Sequence, residues 1–163
     1  MNRELVKAIL ILPGTALVYV PGAIVWLSGA VAPAAPAGLR FWIGAALAVA
    51  GFAVAVWTVR LFAGVGEGTP APWAPPAKLV VRGPYRHVRN PMISSVLVML
   101  AAESLLFGSW YIAGWAVVFF GGNAIYFARV EEPALERRFG EVYRLYRANV
   151  PRWVPRWRGW DIE

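Results

Sequence analysis

Residues 91–128 read PMISSVLVMLAAESLLFGSWYIAGWAVVFFGGNAIYFA. Two apolar runs, Pro91–Phe107 and Trp110–Ala128, are separated there by Gly108-Ser109 alone. A membrane-crossing helix needs ~20 largely apolar residues, because ~30 Å of hydrocarbon is covered at ~1.5 Å per residue. Both runs approach that length, and so short a break allows only a tight turn. They predict a helical hairpin that reaches the far face of a membrane and returns. The first run is the shorter and carries Glu103.

Two further runs lie upstream, Ala8–Val31 and Phe41–Ala63, each without charge until Arg60. Arg3, Lys7 and Ala30-Val31-Ala32 also have the order of a secretory signal peptide. The apolar stretch is longer than the usual ~7–15 residues and contains Pro13 and Pro21, which favours a retained span. Of the 163 residues 59% are hydrophobic and 15% charged, against the usual ~45–50% and ~25% of soluble chains. Disorder, collagen and coiled coil are excluded. The expected fold is an all-α integral membrane protein in one domain over residues 1–163. It has about four transmembrane helices, the last two a C-terminal hairpin, followed by a cytoplasmic amphipathic helix within 129–163. The absence of cysteine and a single histidine, His87, exclude disulfides, a thiolate nucleophile and a multi-histidine metal site, so no metal is expected.

Charge gives the orientation. Of the 16 Lys and Arg, 15 fall on one side of the four spans and only Arg40 on the other. By the positive-inside rule both termini and the Gly64–Asn90 loop are cytoplasmic. The net charge of +7 is thus accounted for by topology, and no nucleic-acid partner is expected. Trp26, Trp42, Trp110, Trp153 and Trp157 fall near span ends, where amphipathic rings anchor a protein among membrane lipids.

Polar side chains gather in two cytoplasmic segments. In Gly64–Asn90, the run from Gly66 to Pro76 is too rich in proline for helix or sheet. Gly83-Pro84 marks a turn, Pro91 suits the first turn of a helix, and Asn90 suits its N-cap. That helix start beside Arg86 and Arg89 forms an anion-binding corner, or else a basic loop on lipid head groups. The second segment predicts a helix from Pro133 to about Asn149, with Leu135, Phe139, Val142, Leu145 and Tyr146 on its apolar face. Glu131 and Glu132 sit at the end of a span, beside an anionic leaflet, and need a cationic partner: Arg129 or a cationic ligand.

Together these motifs resemble the isoprenylcysteine carboxyl methyltransferase / phospholipid methyltransferase group of integral membrane enzymes. The carriers are Gly83-Pro84-Tyr85, Arg89-Asn90-Pro91-Met92, Glu131-Glu132-Pro133, Arg138-Phe139-Gly140-Glu141 with Tyr143 and Tyr146, and Val150-Pro151-Arg152-Trp153 with Pro155. The resemblance implies S-adenosylmethionine as methyl donor, returned as S-adenosylhomocysteine. It implies cofactor contacts at Leu79, Val80, Tyr85, Asn90, Pro91, Met92, Glu131 and Glu132, with Arg89 adjacent and able to meet the cofactor carboxylate. Arg129 is the nearest match to an arginine that orients the substrate, and with Glu131 it forms the expected catalytic pair. The chain departs from the group at Asn90, where many members have histidine, at Ile93 in place of tyrosine, at Ser94-Ser95, and at Phe127.

A carboxylate acceptor is already ionised at neutral pH, so methyl transfer to it requires alignment and no general base. His87 is therefore not needed as one. Tyr85 or Trp73 suits the adenine or the sulfonium. The expected acceptor is lipophilic, first of all the carboxylate of an isoprenylcysteine-like compound. A phospholipid amine or a small thiol remains open, as does a non-catalytic lipid-binding scaffold. Glu103 is expected to reach the outer interface, and Asn123 to bond a neighbouring helix.

Overall fold

Proline sets the register of the first and last helices. In the computed structural model, which describes residues 3–29, 34–36, 38–66 and 76–161, helix α1 (Arg3–Gly14) continues through a π-turn (Thr15–Tyr19) into α2 (Val20–Ser28). The second π-turn, Phe127–Glu131, joins α5 (Trp110–Tyr126) to α6 (Glu132–Asn149). Each π-turn ends two residues before a proline, Pro21 or Pro133. A proline ring inside a helix clashes with the carbonyl four residues back and supplies no N–H. One widened turn relieves both, with Val20 N–H reaching Thr15 O and Glu132 N–H reaching Phe127 O. The carbonyl of Ala16 is taken instead by the indole N–H of Trp115, at 3.0 Å.

Three helical stretches are long and apolar enough to cross a membrane: Val6–Ser28, Leu39–Gly64, and the one beginning at Trp110. The shorter apolar helix α4 (Pro91–Phe107) completes the set expected from the sequence, and α3 is Leu39–Gly64. Helix α5 does not stop at Ala128 as expected. It runs unbroken into α6, because the π-turn absorbs Pro133. The charges of Glu136, Arg137, Arg138, Glu141, Arg144 and Arg147 keep α6 out of the hydrocarbon. The Ala30-Val31-Ala32 stretch and most of the proline-rich run, Trp73 included, lie outside the described residues.

Helix α4 is the centre of the bundle. It packs on α3, on α5 and on the π-turn of the first helix, burying Ser95, Val96, Leu100 and Ala102. Its closest neighbour is α3, which presents Gly44, Gly51 and Thr58 as its buried residues, seven apart. A Cβ added at Gly51 would lie 2.7 Å from Met99 Cγ and 3.0 Å from the Ser95 carbonyl; one at Gly44 would lie 2.8 Å from Leu106 Cγ. Small residues at these positions let the backbones approach. The serine hydroxyls of α4 return to backbone carbonyls, Ser94 to Asn90 and Ser95 to Met92, so none faces lipid unpaired. At ~1.5 Å per residue the 17 residues of α4 cover about 26 Å, at the short end of what crosses a membrane. Asn123 bonds Phe119 O of its own helix at 2.8 Å, not a neighbour. Glu103 holds one carboxylate oxygen buried without a hydrogen-bond partner among the described residues.

Candidate functional site

Three pieces of chain converge at the Asn90 end of α4: the loop before it, the π-turn before α6, and a C-terminal strap over 150–161. The loop closes with a 3₁₀ turn over Gly83–Arg86. Gly83 adopts φ +55° directly against Trp57, a backbone conformation that glycine tolerates. The ring of Tyr85 is buried edge-on to Phe62 of α3, 5.6 Å between centroids, and its carbonyl accepts the Tyr146 hydroxyl at 2.7 Å. Burial, and then the neighbouring Tyr146, push the Tyr85 phenol well above its usual pKa. Its ring is thus part of the loop's foundation, and not presented for stacking on an adenine.

The strap is pinned to this loop by backbone bonds. Arg89 N–H donates to Pro151 O, Arg156 N–H to His87 O and Trp160 N–H to Arg86 O, each at 2.9 Å. Nδ1 of the His87 ring lies 2.9 Å from Arg156 O, and Arg86 pairs with Asp161. Trp153 packs on Phe120 and Phe127 of the α5 segment, while Trp26, Trp42, Trp110 and Trp157 are exposed as interfacial anchors would be.

The face of α6 turned to the loop is Leu135, Phe139, Tyr143 and Tyr146, packed with Val150 at the start of the strap against Leu79, Val81 and Trp160. Val142 and Leu145, expected on that face, are exposed. Tyr143 joins the expected Tyr146 there instead: both rings fill the contact while the Tyr146 hydroxyl finds a carbonyl, a pairing an aliphatic pattern does not signal. The helix also breaks at Gly140, φ +57° and ψ −129°.

At the centre lies Glu132, only 4% exposed. Arg152 grips it with Nε and Nη2, each 2.7 Å from one carboxylate oxygen. Nη1 of Arg89 lies 2.8 Å from Oε1 of the same carboxylate, at an angle that makes no hydrogen bond. The pairing raises the Arg152 pKa further, and Tyr143 beside it is pushed up to about 12, by burial first and by the Glu132 charge second, with Arg89 opposing. Nε and Nη1 of Arg89 and Nδ2 of Asn90 are buried with no hydrogen-bond partner among the described residues.

The expected residues therefore divide. Arg89, Asn90, Pro91, Met92 and Glu132 come together around the start of α4, with Pro91 at its first turn. Asn90 stands at the N-cap as expected, but its side-chain oxygen accepts no capping bond, and its amide nitrogen, a donor, is separately without a partner among the described residues. Glu131 is half-buried, with the Tyr126 hydroxyl at 3.4 Å. Burial raises its carboxyl pKa, and the Tyr126 bond opposes that more weakly. Arg129 is exposed and pairs with neither acid; Glu132 has taken Arg89 and Arg152 instead. Leu79 and Val80 line the loop behind, with Val80 buried. Arg152 stands in a motif noted in the sequence, yet nothing in the spacing of 20 residues ties it to Glu132.

The sequence model of the phospholipid methyltransferase family matches residues 39–142, well over half the chain. The chain belongs to the phospholipid methyltransferase family. It is accordingly an integral membrane protein of a methyltransferase family. The family match takes in α3, the Arg89-Asn90 loop, the α4–α5 hairpin and Glu131-Glu132, and ends before the strap that carries Arg152. Comparison with curated proteins and with solved structures gives no match. Among the described residues no group of three or more His, Asp or Glu is placed to hold a metal.

Proposed function

We propose that the protein transfers a methyl group from S-adenosylmethionine to a membrane-embedded or amphiphilic acceptor, with its site and both termini on the cytoplasmic face. The observation that carries this reading is the set of buried donors without partners among the described residues, Arg89 Nε and Asn90 Nδ2, at the start of α4. Desolvated donors left unbonded are costly, and a carboxylate ligand would satisfy them. The amino-acid moiety of S-adenosylmethionine offers a carboxylate for these donors and an ammonium for Glu131, the acid of the pair that no arginine holds among the described residues. The residues present fit the group.

Bound S-adenosylmethionine supplies an electrophilic methyl on a sulfonium. The chain's own residues bind and align: Arg89 and Asn90 hold the carboxylate, Glu131 the ammonium, and Pro91 and Met92 form the wall at the first turn of α4. A lipid-soluble acceptor enters from the membrane while the donor enters from the water. Arg129, exposed on the π-turn, orients the acceptor. An isoprenylcysteine-like carboxylate needs no base, in keeping with a His87 engaged by Arg156 O. The family match favours a second reading, a phospholipid amine as acceptor, deprotonated before the methyl arrives.

The test is methyl transfer from S-adenosylmethionine by the protein reconstituted in liposomes, offered either a farnesylated cysteine derivative or phosphatidylethanolamine. Transfer to one acceptor, lost in Glu131→Gln, is expected. No transfer to either, or full activity in Glu131→Gln, would overturn the assignment.

A further inference from the structure

We infer that Arg152 is a positioning residue: by occupying Glu132 it keeps the guanidinium of Arg89 available for the carboxylate of an S-adenosyl ligand. The inference rests on the reading of Arg89 just given. It begins with a competition for one carboxylate. Arg152 makes the fork-on-fork pair, one nitrogen to each oxygen at 2.7 Å, which is the strongest geometry open to arginine. Arg89 is left with one ion contact of 2.8 Å to an oxygen already bonded and a side-chain hydrogen bond with Tyr143, and its Nε and Nη1 have no hydrogen-bond partner among the described residues.

Two consequences follow from the charges. Glu132 with two arginines carries a net positive charge, so the spot attracts an anion; with Arg152 gone, Arg89 and Glu132 neutralise one another. The oxygen vacated by Arg152 would also draw Arg89, the nearest remaining cation, into the bidentate pair. Its donors would then be spent on Glu132. The strap is built to deliver Arg152 to this place. The residue before it takes the backbone N–H of Arg89, at 2.9 Å, and the residue after it packs on Phe120 and Phe127. Arg152 also lies outside the residues that the family model matches.

The test compares two ligands by calorimetric titration of the full chain in lipid nanodiscs. S-adenosylhomocysteine carries the carboxylate; methylthioadenosine keeps the adenosine and sulfur but has neither carboxylate nor ammonium. Arg152→Gln is expected to weaken S-adenosylhomocysteine binding about tenfold and to leave methylthioadenosine unchanged. Adding Glu132→Gln to Arg152→Gln removes the competitor and is expected to bring the affinity back to within about threefold of Glu132→Gln alone. Arg152→Lys, a point charge without the fork, is expected to fall between, and it carries the same comparison should Arg152→Gln fail to fold. Unchanged S-adenosylhomocysteine binding, equal loss for both ligands, or no recovery in the double variant would each overturn the positioning role. A wild-type chain that binds methylthioadenosine but not S-adenosylhomocysteine would instead remove the reading of Arg89 itself, and this inference with it.

Discussion

Gly51 is where the bundle is most sensitive to a single added carbon. A Cβ there meets Met99 Cγ at 2.7 Å and the Ser95 carbonyl oxygen at 3.0 Å. The methionine side chain can rotate away, but the Ser95 oxygen belongs to the backbone of α4 and yields only if the helix moves. Gly51→Ala gains about 1 kcal/mol of helix propensity and loses about 1–3 kcal/mol to overpacking, so a net loss of about 1 kcal/mol is expected. Gly51→Leu drives three more carbons into the same gap and should cost at least about 3 kcal/mol. At about 2–4 °C per kcal/mol for a chain of this size, the melting temperatures fall by about 3 °C and about 10 °C. Gly114 on α5 has nothing within 4 Å of its added Cβ and serves as the internal control. Gly114→Ala should leave the melting temperature unchanged or raise it slightly. The assay is thermal unfolding of the detergent-purified variants. A Gly51→Leu protein as stable as wild type, or a Gly114→Ala protein as damaged as Gly51→Ala, would refute close α3–α4 packing. Because α4 starts at Pro91, its displacement also moves Arg89 and Asn90, so Gly51→Leu should weaken S-adenosylhomocysteine binding.

Glu131→Gln should be a trade of activity for stability. Burial raises the Glu131 carboxyl in the folded chain, so its favourable contribution is present below the ordinary carboxylate pKa of about 4.3 and is lost as pH rises through the folded value. The variant should therefore melt higher than wild type at about pH 7–8, with the difference fading toward about pH 4; a lower melting temperature at neutral pH would contradict the burial. Tyr146→Phe removes the 2.7 Å bond to the Tyr85 carbonyl and should cost about 1–3 kcal/mol, read as a drop of several degrees in melting temperature. Arg129→Ala, at an exposed position with no ion pair among the described residues, should keep both its melting temperature and its S-adenosylhomocysteine affinity while losing methyl transfer. A matching loss of cofactor affinity would move Arg129 out of the acceptor role.

Spans were legible because membrane hydrocarbon imposes length and apolarity on any helix that crosses it. Pro91–Phe107 was read to its bounds, with Pro91 at the first turn and Gly108 ending the helix at φ +61°. The continuity of α5 into α6 was not legible, since Pro133 ordinarily ends a helix and the π-turn that rescues it leaves no residue signature. The spacing of Gly44, Gly51 and Thr58 was available as a pattern of small residues, but apolar content alone does not reveal which face of a span meets protein. The sequence presents two adjacent acids; the fold buries one between Arg89 and Arg152 and leaves the other half-buried beside Tyr126. Which arginine reaches which acid depends on a strap that returns from 20 residues away, a contact local patterning does not encode.

Calorimetric titration of the purified, folded protein with S-adenosylhomocysteine tests most directly whether this is a cofactor-dependent methyltransferase site. Saturable binding at one site is predicted, weakened about tenfold or more by Arg89→Gln or Asn90→Ala, each of which removes a donor that is buried and unbonded among the described residues. No saturable binding by the folded wild type, or the same affinity in both variants as in wild type, would contradict it.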